Sequence, residues 1–170
     1  MKKLILPALL ALTLAACSST GPETAGAAVE DRGAGVATVT AGSASGSGIA
    51  ALTDPNNILS KRSVFFDFDS YVIKQEARAL VEAHARFLVQ NPQMRMLIQG
   101  NTDERGSREY NLALGQKRAD AAKKALGLLG VSEGQLESVS LGEEKPRCED
   151  RTENCYAENR RGDMLYTGEF

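Results

Sequence analysis

Four carboxylates and three arginines stand close enough along this 170-residue chain to raise the question of chemistry. Asp67 and Asp69 fall in RSVFFDFDS, Asp103 and Glu104 in GNTDERGS, and Arg105, Arg108 and Arg118 in or just after that second stretch. Paired carboxylates could hydrolyse a glycoside, one as acid and one as base or nucleophile. A general acid must stay protonated, however, and Arg105 and Arg108 beside Glu104 favour the ionised form. The single histidine, His84, lies among apolar residues, so no Ser/His/Asp set can be assembled. No His/Cys/Asp/Glu spacing suits a zinc site. The chain therefore reads as a non-enzyme that needs no cofactor and no metal.

Arg118 asks for another explanation. Asn111, Leu114 and Arg118 step by three and four residues, so on a helix they share one stripe. Lys117, Lys123 and Lys124 fall elsewhere and suit a solvated face. A half-buried arginine needs carboxylate partners, and Asp103 is a candidate. The same pair could instead hold a zwitterion, the guanidinium gripping a carboxylate and the aspartate accepting from an ammonium. Spacing alone leaves the structural and the ligand-binding readings open.

These residues must be positioned by a small set of elements. Val64, Phe66 and Phe68 alternate with Phe65, Asp67 and Asp69, which predicts a strand with the first three on its buried face. Residues 74–90 place Ala77, Leu80, Val81, His84, Phe87 and Leu88 at helical spacing, and Asn91-Pro92 ends that helix. MRMLIQG reads as a second strand. A long helix from about Arg108 to Leu129 should bury Leu112, Gly115, Ala119, Ala122, Leu126 and Leu129, with Gly130 as its stop. Ser132 and Gln135 have capping-box spacing for a short helix. LESVSLGE is a third strand, a short helix is expected near Cys155 to Arg160, and GDMLYTGE is the last strand. The order β-α-β-α-β-α-β predicts an α+β fold, a two-layer α/β sandwich of a mixed sheet with helices on one face.

The N-terminal stretch concerns location. Lys2 and Lys3 precede an apolar run from Leu4 to Ala16, too short to span a bilayer, so residues 1–16 are expected to be a signal peptide. The junction Leu14-Ala15-Ala16-Cys17 resembles a bacterial lipobox, which implies lipidation of Cys17 and a multi-chain anchor. Ser18 stands where an aspartate would resemble an inner-membrane retention signal, so the expected site is the periplasmic face of the outer membrane. Residues 17–60 are rich in Gly, Ala, Ser and Thr and are read as a flexible tether. Residues 61–170 are expected to form one folded domain. With 20 basic and 22 acidic residues, the chain has no basic excess to invite nucleic acid. Cys148 and Cys155 would be bonded in an oxidising periplasm, a loop closure of about 2–2.5 kcal/mol, with metal ligation the weaker rival.

FFDFDSY, IQGNTDERGSREYNLALGQKRA, SLGEEKP and NRR together resemble, in order and spacing, the OmpA-like peptidoglycan-binding domain family. With the lipobox, the whole chain resembles the lipid-anchored members that work with the Tol proteins, chiefly TolB. The resemblance implies a ligand, the diaminopimelate of the peptidoglycan stem peptide, whose side chain ends in a carboxylate and an ammonium on one carbon. It places the family's acidic contact on Asp103, its arginine on Arg118, a second acid on Asp69, and wall residues on Asn111 and Leu114. The implied role is to hold the outer membrane to the cell wall, supporting envelope integrity and constriction in division. A wall-binding lipoprotein of the same fold outside the Tol system is the alternative. This chain departs from the family at Asn101, where many members have histidine, at Gly162, and in the Cys148/Cys155 pair.

Replacing Cys17 by alanine should release the protein from membranes, because no other segment is apolar enough to hold it. Sedimentation of the Cys17→Ala variant with the outer membrane, in a detergent-sensitive form, would put the anchor elsewhere.

Overall fold

The structure, a computed structural model, describes residues 44–169. The expected signal peptide, Cys17 and most of the expected tether lie outside those residues. Four strands, β1 (Ser63–Phe65), β2 (Met96–Asn101), β3 (Leu136–Gly142) and β4 (Arg161–Tyr166), are joined by helices α2 (Arg78–Gln90), α3 (Arg108–Leu128) and α4 (Glu153–Asn159), and α1 (Ala44–Thr53) precedes them. The sheet order is β1-β4-β2-β3. β4 runs antiparallel to both β1 and β2, whereas β2 and β3 are parallel and connected through α3. The fold is α+β, with a mixed sheet, as the alternation of elements predicts.

One sheet face carries the core. Val64, Met96, Ile98, Met164 and Tyr166 meet Val81, Ala85 and Leu88 from α2 and Ala119, Ala122 and Leu126 from α3. The tightest contact is between backbones. A side chain on Gly100 in β2 would begin 1.8 Å from the Gly115 carbonyl oxygen of α3, and one on Gly115 would meet Ser140 Oγ at 2.3 Å. Only glycine at both positions lets α3 lie this close to the sheet. Its N-terminal half is thereby held over the end of β2.

Several expectations need correction. The first strand is shorter than its alternation suggests: after Phe65 the chain turns away, and Asp69 adopts a left-handed conformation with φ 51°. Phe68, expected on the buried face, is therefore 58% exposed. The buried stripe of α3 runs through Asn111, Leu114, Gly115, Arg118, Ala119, Ala122 and Leu126, leaving Leu112 and Leu129 exposed. Residues 133–135 form one 3-10 turn without a Ser132 side-chain cap, so the capping box is not made. Gln135 instead serves α2, where its amide donates to the carbonyls of Leu88, Asn91 and Met94 and so closes the helix end. Ordered structure also reaches into the stretch expected to be tether, since α1 starts at Ala44 and Leu52 joins the core. Arg62 Nη2 donates to the Leu52 carbonyl at 3.0 Å.

His84 lies fully buried in α2, between Tyr166 Oη (2.7 Å from Nδ1) and the Lys61 carbonyl (2.8 Å from Nε2). The carbonyl can only accept, so Nε2 carries the proton and Nδ1 accepts from the tyrosine. Burial pushes the His84 pKa down from 6.5 to about 4, and the Lys61 carbonyl only partly opposes this.

Between those two values the unfolded chain binds the proton and the folded chain does not. Stability should therefore be complete above pH 6.5 and fall as the pH drops toward 4, by about 3 kcal/mol. Urea midpoints measured across this range should drop more steeply for the native sequence than for His84→Gln. Parallel slopes for the two proteins would show that His84 does not titrate on unfolding.

Candidate functional site

The C-terminal end of β2, the loop after it and the first turns of α3 converge with the loop after β1. Ser107 Oγ accepts from the Tyr110 N–H and caps α3, while Gly106, at φ 117°, supplies the left-handed turn just before it. Because α3 is pressed onto Gly100, its residues Asn111, Leu114 and Arg118 face this end of the sheet. They help line a cavity of about 230 Å³ whose wall also includes Phe68, Asp69 and Asp103. All five residues expected at a ligand site (Asp69, Asp103, Asn111, Leu114 and Arg118) are thus brought to one cavity.

Arg118 is 0% exposed and forms no ion pair within 4 Å among the described residues. Its guanidinium instead donates to three carbonyls: Nε to Ser70 (2.8 Å), Nη1 to Asn101 (2.9 Å) and Nη2 to Asp67 (3.1 Å). Burial pulls its pKa down to about 10, partly opposed by the nearby Asp103 charge, so it stays protonated at neutral pH. Of the two readings that spacing left open, the structural one with Asp103 as the partner of Arg118 is not formed.

Asp103, only 4% exposed, takes its partners from elsewhere. Its Oδ2 accepts from Arg105 Nη2 (2.7 Å) and Arg160 Nη1 (3.1 Å), and its Oδ1 accepts from the Arg105 backbone N–H (3.1 Å). Burial alone would raise its pKa, but these donors outweigh burial and hold the carboxyl below its ordinary value. It is a fixed anion and a poor general acid. Asp69 accepts a hydrogen bond from Tyr110 Oη at the cavity rim, and Asn111 Nδ2 donates to Glu143. Asp67 contributes its carbonyl, while its exposed carboxylate pairs with Lys74 at 2.6 Å. Glu104 lies outside this cavity and accepts from Tyr156 Oη at 3.0 Å.

Sequence reasoning missed Phe68, Arg105, Tyr110 and Arg160 as wall residues. Arg105 stacks between two rings, its Cζ 4.2 Å from the Phe68 centroid and 4.4 Å from that of Tyr156. Tyr110 could have been found, because it lies four residues before Leu114 and so on the same face of the helix. Arg160 falls in NRR, one of the stretches that carry the resemblance, but no spacing shows that it reaches Asp103 from 57 residues away.

The model of the OmpA family matches residues 65–160. The peptidoglycan-associated lipoprotein of Pseudomonas putida is 42% identical over 161 residues, covering 92% of this chain and 93% of that protein. Its namesake in Pasteurella multocida is 48% identical over 104 residues, 61% of this chain and 69% of that one. The crystal structure of the peptidoglycan-associated lipoprotein from Burkholderia pseudomallei superposes with a TM-score of 0.67 at 57% identity, covering 68% of this chain and 98% of that one. The C-terminal domain of Helicobacter pylori MotB shares the fold alone, with a TM-score of 0.59 at 21% identity over 63% of this chain and 84% of that one.

Arg118 is a structural staple as well as a wall residue, so truncating it should damage the fold. Arg118→Ala removes a donor from the carbonyls of Ser70 and Asn101, while the Asp67 carbonyl keeps the Ser70 N–H, and should cost at least about 2 kcal/mol, at roughly 1 kcal/mol or more per unsatisfied group. A denaturant titration that places this variant within about 1 kcal/mol of the native sequence would contradict that role.

Proposed function

The chain belongs to the OmpA family and, within it, to the peptidoglycan-associated lipoproteins; from that premise we propose that its cavity holds the diaminopimelate end of a peptidoglycan stem peptide. The protein binds rather than catalyses. In the proposed complex the ligand ammonium lies against Asp103, its carboxylate lies against Arg118, and Asp69 adds a second acid at the rim. Asn111 and Leu114 form the wall beside them.

The observation that carries this reading is the set of charges around one small cavity. Arg105, Arg118 and Arg160 face Asp69 and Asp103 around about 230 Å³. That leaves one positive charge in excess, with both signs present, which suits a zwitterion joined to a peptide that bears further carboxylates. Binding capacity remains on both sides. Arg118 has five N–H donors and spends three on carbonyls. Asp103 Oδ1 accepts one hydrogen bond from the protein and keeps a lone pair for an ammonium.

The wider role follows by the same proposal. Lipid on Cys17 anchors the chain in the outer membrane, facing the periplasm. The segment after it carries the domain to the wall, and TolB and other Tol proteins modulate the attachment during envelope constriction and division.

Asp103→Asn keeps the size and an acceptor while removing the charge. It should weaken binding of a diaminopimelate-containing stem peptide by about thirtyfold or more, the effect of about 2 kcal/mol or more for losing one member of a desolvated charge pair. Titration calorimetry beside circular dichroism melts reads both quantities. A folded Asp103→Asn domain with unchanged affinity for the stem peptide would remove the clamp.

A further inference from the structure

A second cavity, of about 350 Å³, shares Thr102 with the first but has the opposite character. Glu104, Glu143, Glu144, Glu149 and Asp150 all line it, and no lysine or arginine does. Two of the five are neutralised at the surface, Glu144 by Arg108 (2.7 Å) and Glu104 by Arg151 (3.3 Å). Glu143 accepts from the neutral amide of Asn111. Among the described residues, Glu149 and Asp150 have no cation within ion-pair distance.

A separate feature of the same wall points to a ligand. Thr102 is 3% exposed, and its hydroxyl is buried without a hydrogen-bond partner among the described residues. A buried hydroxyl left unpaired is costly, so an incoming donor would recover that cost. The wall is also braced. Cys148 is bonded to Cys155, and the Asn159 side chain accepts from the N–H groups of Arg147 (2.7 Å) and Cys148 (3.1 Å) while donating to the Cys148 carbonyl (2.7 Å).

We propose that this cavity is a binding subsite for an organic cation, an alkylammonium or guanidinium head group, held by Glu143, Glu149 and Asp150 with Thr102 Oγ1 as a buried acceptor. A metal ion fits less well. It needs several oxygens within about 2.0–2.6 Å, and no group of three or more acidic, histidine or cysteine side chains among the described residues could hold one. The space is that of a side-chain head group, and the donors of a cation can spread among separated carboxylates. The subsite does not depend on what the first cavity binds.

The test is a titration of the isotope-labelled full chain carrying Cys17→Ser with agmatine, and separately with cadaverine, at fixed ionic strength. Amide shifts at Thr102, Cys148, Glu149 and Asp150 should saturate. The double variant Glu149→Gln/Asp150→Asn should need at least tenfold more of either cation, with its other resonances unmoved. Shifts that never saturate, or that saturate equally in the double variant, overturn the proposal. Saturation by calcium ion at lower concentration than by either organic cation also overturns it, in favour of a metal site.

Discussion

A fully buried guanidinium held by backbone carbonyls is the interaction on which this site depends. Removing a charge from water is expensive, and the expense is tolerable only when every nearby acceptor is well placed. Arg118 meets that demand with the carbonyls of Asp67, Ser70 and Asn101, from the loop after β1 and from the end of β2. The loop has no regular structure of its own, and Asp69 within it is left-handed. Arg118 therefore supplies what a strand ladder would otherwise supply. Phe68 and Asp69 can face the cavity because the residues on either side of them are tied to α3.

That staple works only because α3 lies unusually near the sheet. The clash that any side chain at Gly100 would make with the Gly115 carbonyl shows that helix and strand touch backbone to backbone. Adding even a methyl group at such a contact forces main-chain movement, which a packed core resists. The two glycines and the arginine are thus one device: the first two set the distance, and the third uses it. The carboxylate of Asp103 belongs to a second network, with Arg105 and Arg160, and Arg160 extends it to Phe66 O and Glu153. Two independent sets of bonds converge on one cavity, so its two signs of charge are held apart instead of collapsing into a single ion pair.

Much of the frame was legible because periodicity reports burial wherever burial is apolar. The alternation in MLIQG and the three-four spacing of Val81, His84 and Leu88 correspond to β2 and α2 because those elements face an ordinary core. The same rule misplaced Leu112 and Leu129 and undervalued Asn111. The first half of α3 covers a polar cavity, and apolar spacing carries no information about a polar burial. Phe68 failed for a related reason: its alternation with Phe66 is real in the sequence, but the chain leaves the sheet between them. Leu52 was hidden by composition, one of only two large apolar residues, with Ile49, in ASGSGIAALT. The site residues were reached by resemblance and by the stripe of Asn111, Leu114 and Arg118. Arg160 needed coordinates, because its contact with Asp103 arises where distant segments meet in space.

The segment from Thr102 to Glu104 explains how two cavities of opposite charge can adjoin. The strand ends at Asn101, and beyond it the Asp103 carboxylate accepts from the Arg105 N–H, so the chain bends at Glu104. Asp103 accordingly turns into the arginine-rich cavity, and Glu104 lines the acidic one with Glu149 and Asp150. A one-residue slip in this loop would put Glu104 or Thr102 where Asp103 now stands and leave Arg105 and Arg160 without their present partner. Register here is secured at the strand end, where β2 is irregular against β3 between Gly100 and Asn101 and the Thr102 N–H donates to the Gly142 carbonyl at 2.8 Å. Gly142, at φ 53°, can make that turn while lying against the backbone of Leu112 in α3. The separation of charges across the site therefore rests on the strand end, fixed by a backbone hydrogen bond and a glycine, together with the bonds that Arg105 and Arg160 make to Asp103.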